Sequence, residues 1–218
     1  MKVFAIAIAA AMVSTPALAA DTITYNSTPS EDWHFGDGND YAPSNSAVLT
    51  TDAGDELALR MHQTYVKAPA SDSSGVYSFS LGTSPMSFDW GIDSASSYTA
   101  QITFTNIGTG QFFSYDPFFI GNDNETQNNS VQNSFRLDCF DLYGPGLFTP
   151  GVDSTYKVNL TVEGLSGGTK SLDVYAKLGM GAAVPEPSTW AMMLLGFGLI
   201  GGAMRSRKHG QAKLNFAW

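Results

Sequence analysis

Apolar and polar residues alternate along the middle of this chain with a period of two. Tyr98, Ala100, Ile102 and Phe104 interleave with Thr99, Gln101, Thr103 and Thr105. Tyr156, Val158, Leu160 and Val162 interleave with Lys157, Asn159, Thr161 and Glu163. Leu172, Val174, Ala176 and Leu178 interleave with Ser171, Asp173, Tyr175 and Lys177. Successive side chains of a strand point to opposite faces, so each set predicts a strand with one buried face. The last two sets flank Gly164-Leu165-Ser166-Gly167-Gly168-Thr169, which reads as a hairpin loop. Shorter candidates are Val48 to Thr51, Leu57 to His62, Val76 to Leu81, Met86 to Trp90, Gln111 to Tyr115 and Phe135 to Leu142. Helical periodicity is absent between residues 20 and 183. Seven to nine short strands with turn residues between them predict an all-β, antiparallel two-sheet sandwich, jelly-roll-like. Asp123 to Asn133 and Glu31 to Asn45 read as polar, irregular loops.

The pattern changes at both ends. Lys2 precedes an apolar run from Val3 to Val13, Ser14-Thr15-Pro16 breaks it, and Ala17-Leu18-Ala19 supplies small residues. This is the layout of a secretory signal peptide covering 1–19, with cleavage between Ala19 and Ala20. Near the other end, Pro185-Glu186-Pro187 precedes fifteen uncharged residues, Trp190 to Met204, and then Arg205, Arg207 and Lys208. The run is apolar on all faces, unlike a helix that lines a core. It spans about 22 Å as a helix against about 30 Å of hydrocarbon, so it is marginal as a permanent span and is expected as a short transmembrane anchor. The basic residues place its C-terminal side on the cytoplasmic face, and the ring of Trp190 suits the outer interface. The two prolines hold the preceding segment extended, in the form a processing enzyme binds as a strand.

The Pro-Glu-Pro tripeptide, Trp190-Ala191, the apolar run and the basic stop fall in the order of a PEP-CTERM sorting signal, which segment 184–208 resembles. The likeness is to the variant with Trp-Ala after the tripeptide, and the short tail 209–218 is in keeping with it. The resemblance implies export by a Gram-negative bacterium that makes exopolysaccharide, and processing by exosortase, a membrane-embedded cysteine transpeptidase. The same segment is also labelled an ice-binding protein C-terminal domain; that label belongs to the signal and is no sign of ice binding. The resemblance implies nothing about residues 20–183.

Charge narrows the partners of the exported part. Residues 20–183 hold six Lys and Arg against nineteen Asp and Glu, a net charge of −13. That balance argues against nucleic acid or an anionic membrane as a partner of the domain itself. Cys139 is the single cysteine, so there is no internal disulfide. Alternation along the strand expected over Phe135 to Leu142 buries it with Phe135 and Leu137.

Candidate chemistry is sparse. Gly164-x-Ser166-x-Gly168 matches the nucleophile-elbow letters, but it joins two strands and lacks a base. His34 and His62 have no second His or Cys at zinc spacing, and no metal or cofactor is expected. Asp37-Gly38-Asn39-Asp40 and Asn122-Asp123-Asn124-Glu125 offer oxygen ligands, though turn chemistry explains them equally well. Asp138 and Asp141, three apart on an expected strand, face opposite sides and make no acid pair. Trp33, Trp90 and Tyr115, with Phe112, Phe113, Phe118 and Phe119, are candidates for a sugar-stacking surface, or else core rings. The reading is a non-catalytic surface or matrix domain, sorted and anchored by the C-terminal signal. The alternatives are a carbohydrate-binding module for exopolysaccharide, or a polysaccharide-active enzyme.

Overall fold

A computed structural model describes residues 21–30, 43–119, 125–127 and 129–180. The leader 1–19, the sorting segment 184–208, the tail, Trp33, His34 and Asp37 to Asp40 lie outside the described residues.

The described chain forms two packed sheets. The first has six strands in the order β1 (Thr22–Ser27), β2 (Ser46–Thr50), β3 (Glu56–Gln63), β5 (Met86–Asp93), β9 (Ser130–Arg136) and β8 (Glu125–Gln127). The second has five, in the order β4 (Val76–Phe79), β11 (Gly168–Leu178), β10 (Ser154–Leu165), β6 (Thr99–Asn106) and β7 (Phe112–Tyr115). The two-sheet, all-β expectation is met. The eleven strands exceed the eight of a simple jelly roll. The sheets are also not wholly antiparallel, because β4 runs parallel to β11. The connection 64–75 separates β4 from β3, long enough to carry the chain back along the molecule before β4 starts.

The three strongest alternating runs become the centre of the five-stranded sheet. β10 pairs with β11 through Val158↔Val174 and Leu160↔Leu172, and with β6 through Val158↔Phe104 and Leu160↔Ile102. These side chains are fully or almost fully buried. Burying each aliphatic one contributes at most about 1.5–3 kcal/mol. Opposite them lie Leu57, Leu59 and Met61 of β3 and Phe88, Trp90 and Ile92 of β5.

One strand was not anticipated, and two expectations need correction. Thr22–Ser27 forms an edge strand whose polar, exposed composition hid it. The loop expected over Asp123 to Asn133 contains β8 and most of β9. Its polar residues misled because Ser130 and Gln132 are fully buried on the outer face of their sheet, so apolar alternation is missing. The strand expected over Phe135 to Leu142 stops at Arg136, and Leu137–Leu142 is a 3-10 turn. Three residues per turn replaces two, which buries Leu137 and Phe140 and leaves Cys139 half-buried.

The chain leaves the last strand under restraint. Gly179 has φ +63° and its N–H donates to the Phe79 carbonyl at 3.0 Å. Met180 N–H donates to Asp153 Oδ1 at 3.1 Å. A side chain at 179 would occupy the space taken by the Asp153 carboxylate. Gly179→Val is therefore expected to lower stability by about 1–2 kcal/mol, read by urea unfolding. An unchanged midpoint would mean that this exit geometry is not held.

Candidate functional site

The outer face of the six-stranded sheet holds an ionised cluster. Arg60 and His62 are two apart on β3 and so share a face, and register places them opposite Asp89 and Ser87 of β5. Arg60 Nε donates to Asp89 Oδ2 at 2.5 Å, and Arg60 Nη1 to the Ser44 carbonyl at 3.1 Å. His62 Nε2 lies 3.1 Å from Asp89 Oδ1. His62 Nδ1 lies 2.8 Å from the Gln63 carbonyl and 3.2 Å from the Val66 carbonyl. All three ionisable side chains are buried. The chain crosses this face on both sides of segment 31–42: Ser30 N–H donates to Glu56 Oε2, and the Ser44 carbonyl caps Arg60.

These partners determine the protonation of His62. A carbonyl only accepts, so Nδ1 carries a hydrogen. His62 and the Arg60 guanidinium hold the Asp89 pKa down, so Asp89 is a carboxylate, and Nε2 carries a hydrogen too. Burial by itself would lower the His62 pKa. The Asp89 charge and hydrogen bond, with the Gln63 carbonyl, outweigh burial and hold it above the ordinary histidine value. Burial would likewise raise the Asp89 pKa, but His62 and then Arg60 hold it below the usual carboxylate value. The cluster is thus two cations around one anion. Ser87 Oγ is engaged with Thr64 Oγ1 at 2.8 Å. His62 has no free ring nitrogen with which to take a proton, so a His–Asp pair here lacks what general-base catalysis needs. Sequence reasoning weighed His62 only as a zinc ligand. The missed signal was a charged residue and a histidine two apart inside an apolar strand.

The sequence-predicted site residues are not brought together. Trp90 is 2% exposed and Tyr115 9% exposed, and both belong to the core. Their rings cannot form a stacking surface, which corrects that expectation. Phe113 is half-buried on Tyr143, with ring centres 4.3 Å apart. Phe118 packs edge-on against Trp90, while Phe112 and Phe119 are exposed. Asp138 and Asp141 do not take opposite sides as strand residues would, since residues three apart in a 3-10 turn share a face. Asp138 pairs with Arg136, and Asp141 accepts from Phe148 N–H. Cys139 is half-buried, not the buried small hydrophobe expected. Burial, then Asp138, push its thiol pKa up, which favours the unreactive protonated form. Ser166 sits exposed in the tight turn between β10 and β11, where Leu165 pairs with Gly168. Ser166→Ala is expected to leave any ester-hydrolysing activity of the preparation and the melting temperature unchanged; loss of such activity at constant melting would reverse this. Among the described residues no group of three or more His, Cys, Asp or Glu is placed to hold a metal.

The five-stranded sheet ends where Met180 leaves it, three residues before the segment that decides the chain's address. Residues 183–208 match the family model of the PEP-CTERM protein-sorting motif. The chain carries this sorting motif. Pro185, Glu186, Pro187 and Trp190 fall within the match, as do Arg205, Arg207 and Lys208. The motif implies export and membrane-anchored sorting by exosortase. The match stops short of the β-sandwich. No curated protein and no solved structure matches the chain. No helix among the described residues is long and apolar enough to cross a membrane, and the expected anchor lies outside them.

Proposed function

We propose that this is an exported surface or matrix protein of non-catalytic type, delivered by its signal peptide and handed to exosortase by the PEP-CTERM motif. In this reading Pro185-Glu186-Pro187 is the recognition element, the run from Trp190 holds it at the inner membrane, and Arg205, Arg207 and Lys208 set topology. The observation that carries it is the motif match directly downstream of a sandwich whose last strand ends at Leu178. The non-catalytic reading is supported by the cluster on the outer face, where each ionised group is consumed by another.

Mass measurement of the protein from cells with and without exosortase tests the sorting step. The expected result is a chain shortened at its C-terminal end only where exosortase is present. Replacing Pro185 and Pro187 with Ala is expected to leave insertion intact and block processing. A chain still ending at Trp218 in both cell types would reduce the segment to a plain anchor.

A second reading, binding of the cell's own exopolysaccharide, has one observation in its favour. The outer face of the five-stranded sheet carries a hydrogen-bonded polar array beside the half-exposed ring of Tyr175. Asn159 Nδ2 donates to Asp173 Oδ1 at 2.6 Å and to Ser171 Oγ at 2.7 Å, and Lys157 pairs with Asp173 at 3.1 Å. Flat arrays of amides and hydroxyls next to a ring suit sugar edges and faces. Tyr175→Ala is expected to weaken retention on isolated exopolysaccharide at unchanged melting temperature. Equal retention of both proteins would remove this reading.

A further inference from the structure

The exposed apolar side chains are unevenly placed. Strand directions define one end of the sandwich where β3, β4, β6, β9 and β11 finish and β5, β7 and β10 begin. Leu81, Val152 and Met180 are 52%, 59% and 77% exposed, and all three lie at this end. They are close to one another. Gly82 N–H donates to the Pro150 carbonyl at 2.7 Å, Met180 N–H donates to Asp153, and Leu81 Cβ lies over Gly179. Tyr65 and Val66, exposed just past β3, belong to the same end, where Thr64 N–H donates to the Pro85 carbonyl. Phe112, at the start of β7, adds an exposed ring.

Charge follows the same axis. Four of the six basic residues of the described chain, Lys67, Arg136, Lys157 and Lys177, lie in the half nearest this end, where they roughly balance Asp138, Asp141 and Asp153. The turns at the opposite end carry Asp52, Asp72, Asp93 and Glu163. The chain also leaves at the apolar end. From Met180 to Trp190 is ten residues, at most about 35 Å even when fully extended.

We propose that this end of the sandwich is a bilayer-contact surface: while the chain is anchored, Leu81, Val152, Met180, Tyr65 and Val66 rest in the headgroup layer of a phospholipid membrane. The inference rests on the membrane-anchored reading of the motif and specifies which surface of the domain faces the lipid. Three physical points converge on it. The short connection keeps this end near the membrane. Apolar side chains gain by leaving water at the headgroup–acyl boundary. The strongly acidic end is turned away from the lipid, which limits the repulsion that the net negative charge of the domain would otherwise meet there. Cleavage of the motif then removes the restraint that holds this surface at the lipid, so release of the domain needs no conformational change.

Unprocessed full-length chain from cells lacking exosortase, reconstituted in phosphatidylethanolamine–phosphatidylglycerol vesicles, provides the test. In a Cys139→Ser background, single cysteines are placed as Leu81→Cys and Val152→Cys at the apolar end. Ser166→Cys marks the opposite end and Gly198→Cys the anchor. Each carries an environment-sensitive fluorophore and is challenged with nitroxide-bearing lipid and with aqueous iodide. The expected result is lipid quenching at 81 and 152 at least about threefold above that at 166, with 198 also quenched. Quenching at 198 with 81 and 152 open to iodide would overturn the inference and leave the anchoring reading standing. Protection of 81 and 152 from both quenchers would overturn it in favour of a protein partner. Failure of lipid to quench 198 would defeat the anchoring reading and the inference with it.

Discussion

Asp89→Ala is expected to lower the stability of the sandwich by about 3–5 kcal/mol, because it leaves the Arg60 guanidinium buried without its carboxylate and removes the anion that keeps His62 charged. Both are 0–1% exposed and both direct hydrogen bonds at this one carboxylate. Asp89→Asn keeps the shape and one acceptor but removes the charge, so it is expected to cost less than Asp89→Ala. Urea unfolding at pH 6 measures both. A loss below about 1 kcal/mol for Asp89→Ala would show that the cluster is hydrated and not a buried ion network.

The same cluster gives stability a pH dependence of defined sign. His62 is held above its unfolded pKa of 6.5, so its contribution is complete below pH 6.5 and is lost as pH rises through the raised value. Asp89 is held below its unfolded pKa of 3.8, so its contribution is complete above pH 3.8 and is lost as pH falls through the lowered value. The pair therefore favours the folded state most between those two unfolded values. His62→Gln is expected to remove the alkaline decline while lowering stability at pH 6. An alkaline decline that persists unchanged in His62→Gln would assign it to another group.

Phe140→Ala is expected to cost about 3–5 kcal/mol, the range for emptying a well-packed aromatic site. Phe140 stacks on Phe104 at 4.6 Å between ring centres, lies 5.0 Å from Phe135, and approaches Phe88, Phe113 and Tyr115 at 6.3, 5.9 and 6.0 Å. Its neighbour Cys139 is half-buried, and Cys139→Ala is expected to cost less than about 1 kcal/mol. A strand through this segment would put Cys139 inside and Phe140 outside, and would reverse the order of the two losses. Thermal or urea unfolding of the two variants thus reads directly whether residues 137–142 turn or extend.

Residues 20–183 expressed alone are expected to give β-type circular dichroism and one cooperative melt, unchanged by a chelator. The described core lies wholly within 47–178, and its largest buried cluster draws on both sheets. A melt lost on chelation would reveal a structural cation.

Much was legible in the sequence because some signals are local. The Pro-Glu-Pro tripeptide, apolar run and basic stop of the PEP-CTERM protein-sorting motif are read along the chain without folding. Strands β6, β10 and β11 were legible because each buries one face only, so the burial of Ile102, Leu160 and Val174 is written as alternation. The acidic balance of the exported part was equally a property of composition.

The rest depended on what the chain packs against. β5 and β9 are buried on both faces for parts of their length, so polar residues such as Asp89 and Gln132 occupy interior positions and the period of two disappears. Trp90 and Tyr115 could be sugar-binding or core rings by type, and only the packing of the two sheets against each other decided for the core. Arg60, His62 and Asp89 lie up to 29 residues apart along the chain, and pairing of β3 with β5 makes them one charged cluster. The apolar end is also a product of topology. Tyr65, Leu81, Val152 and Met180 are far apart in sequence, and they share the end beside the exit to the sorting motif because three connections and the last strand's exit lie there. A sequence records each residue's chemistry and its local period, whereas strand pairing over long separations decides which residues share a surface.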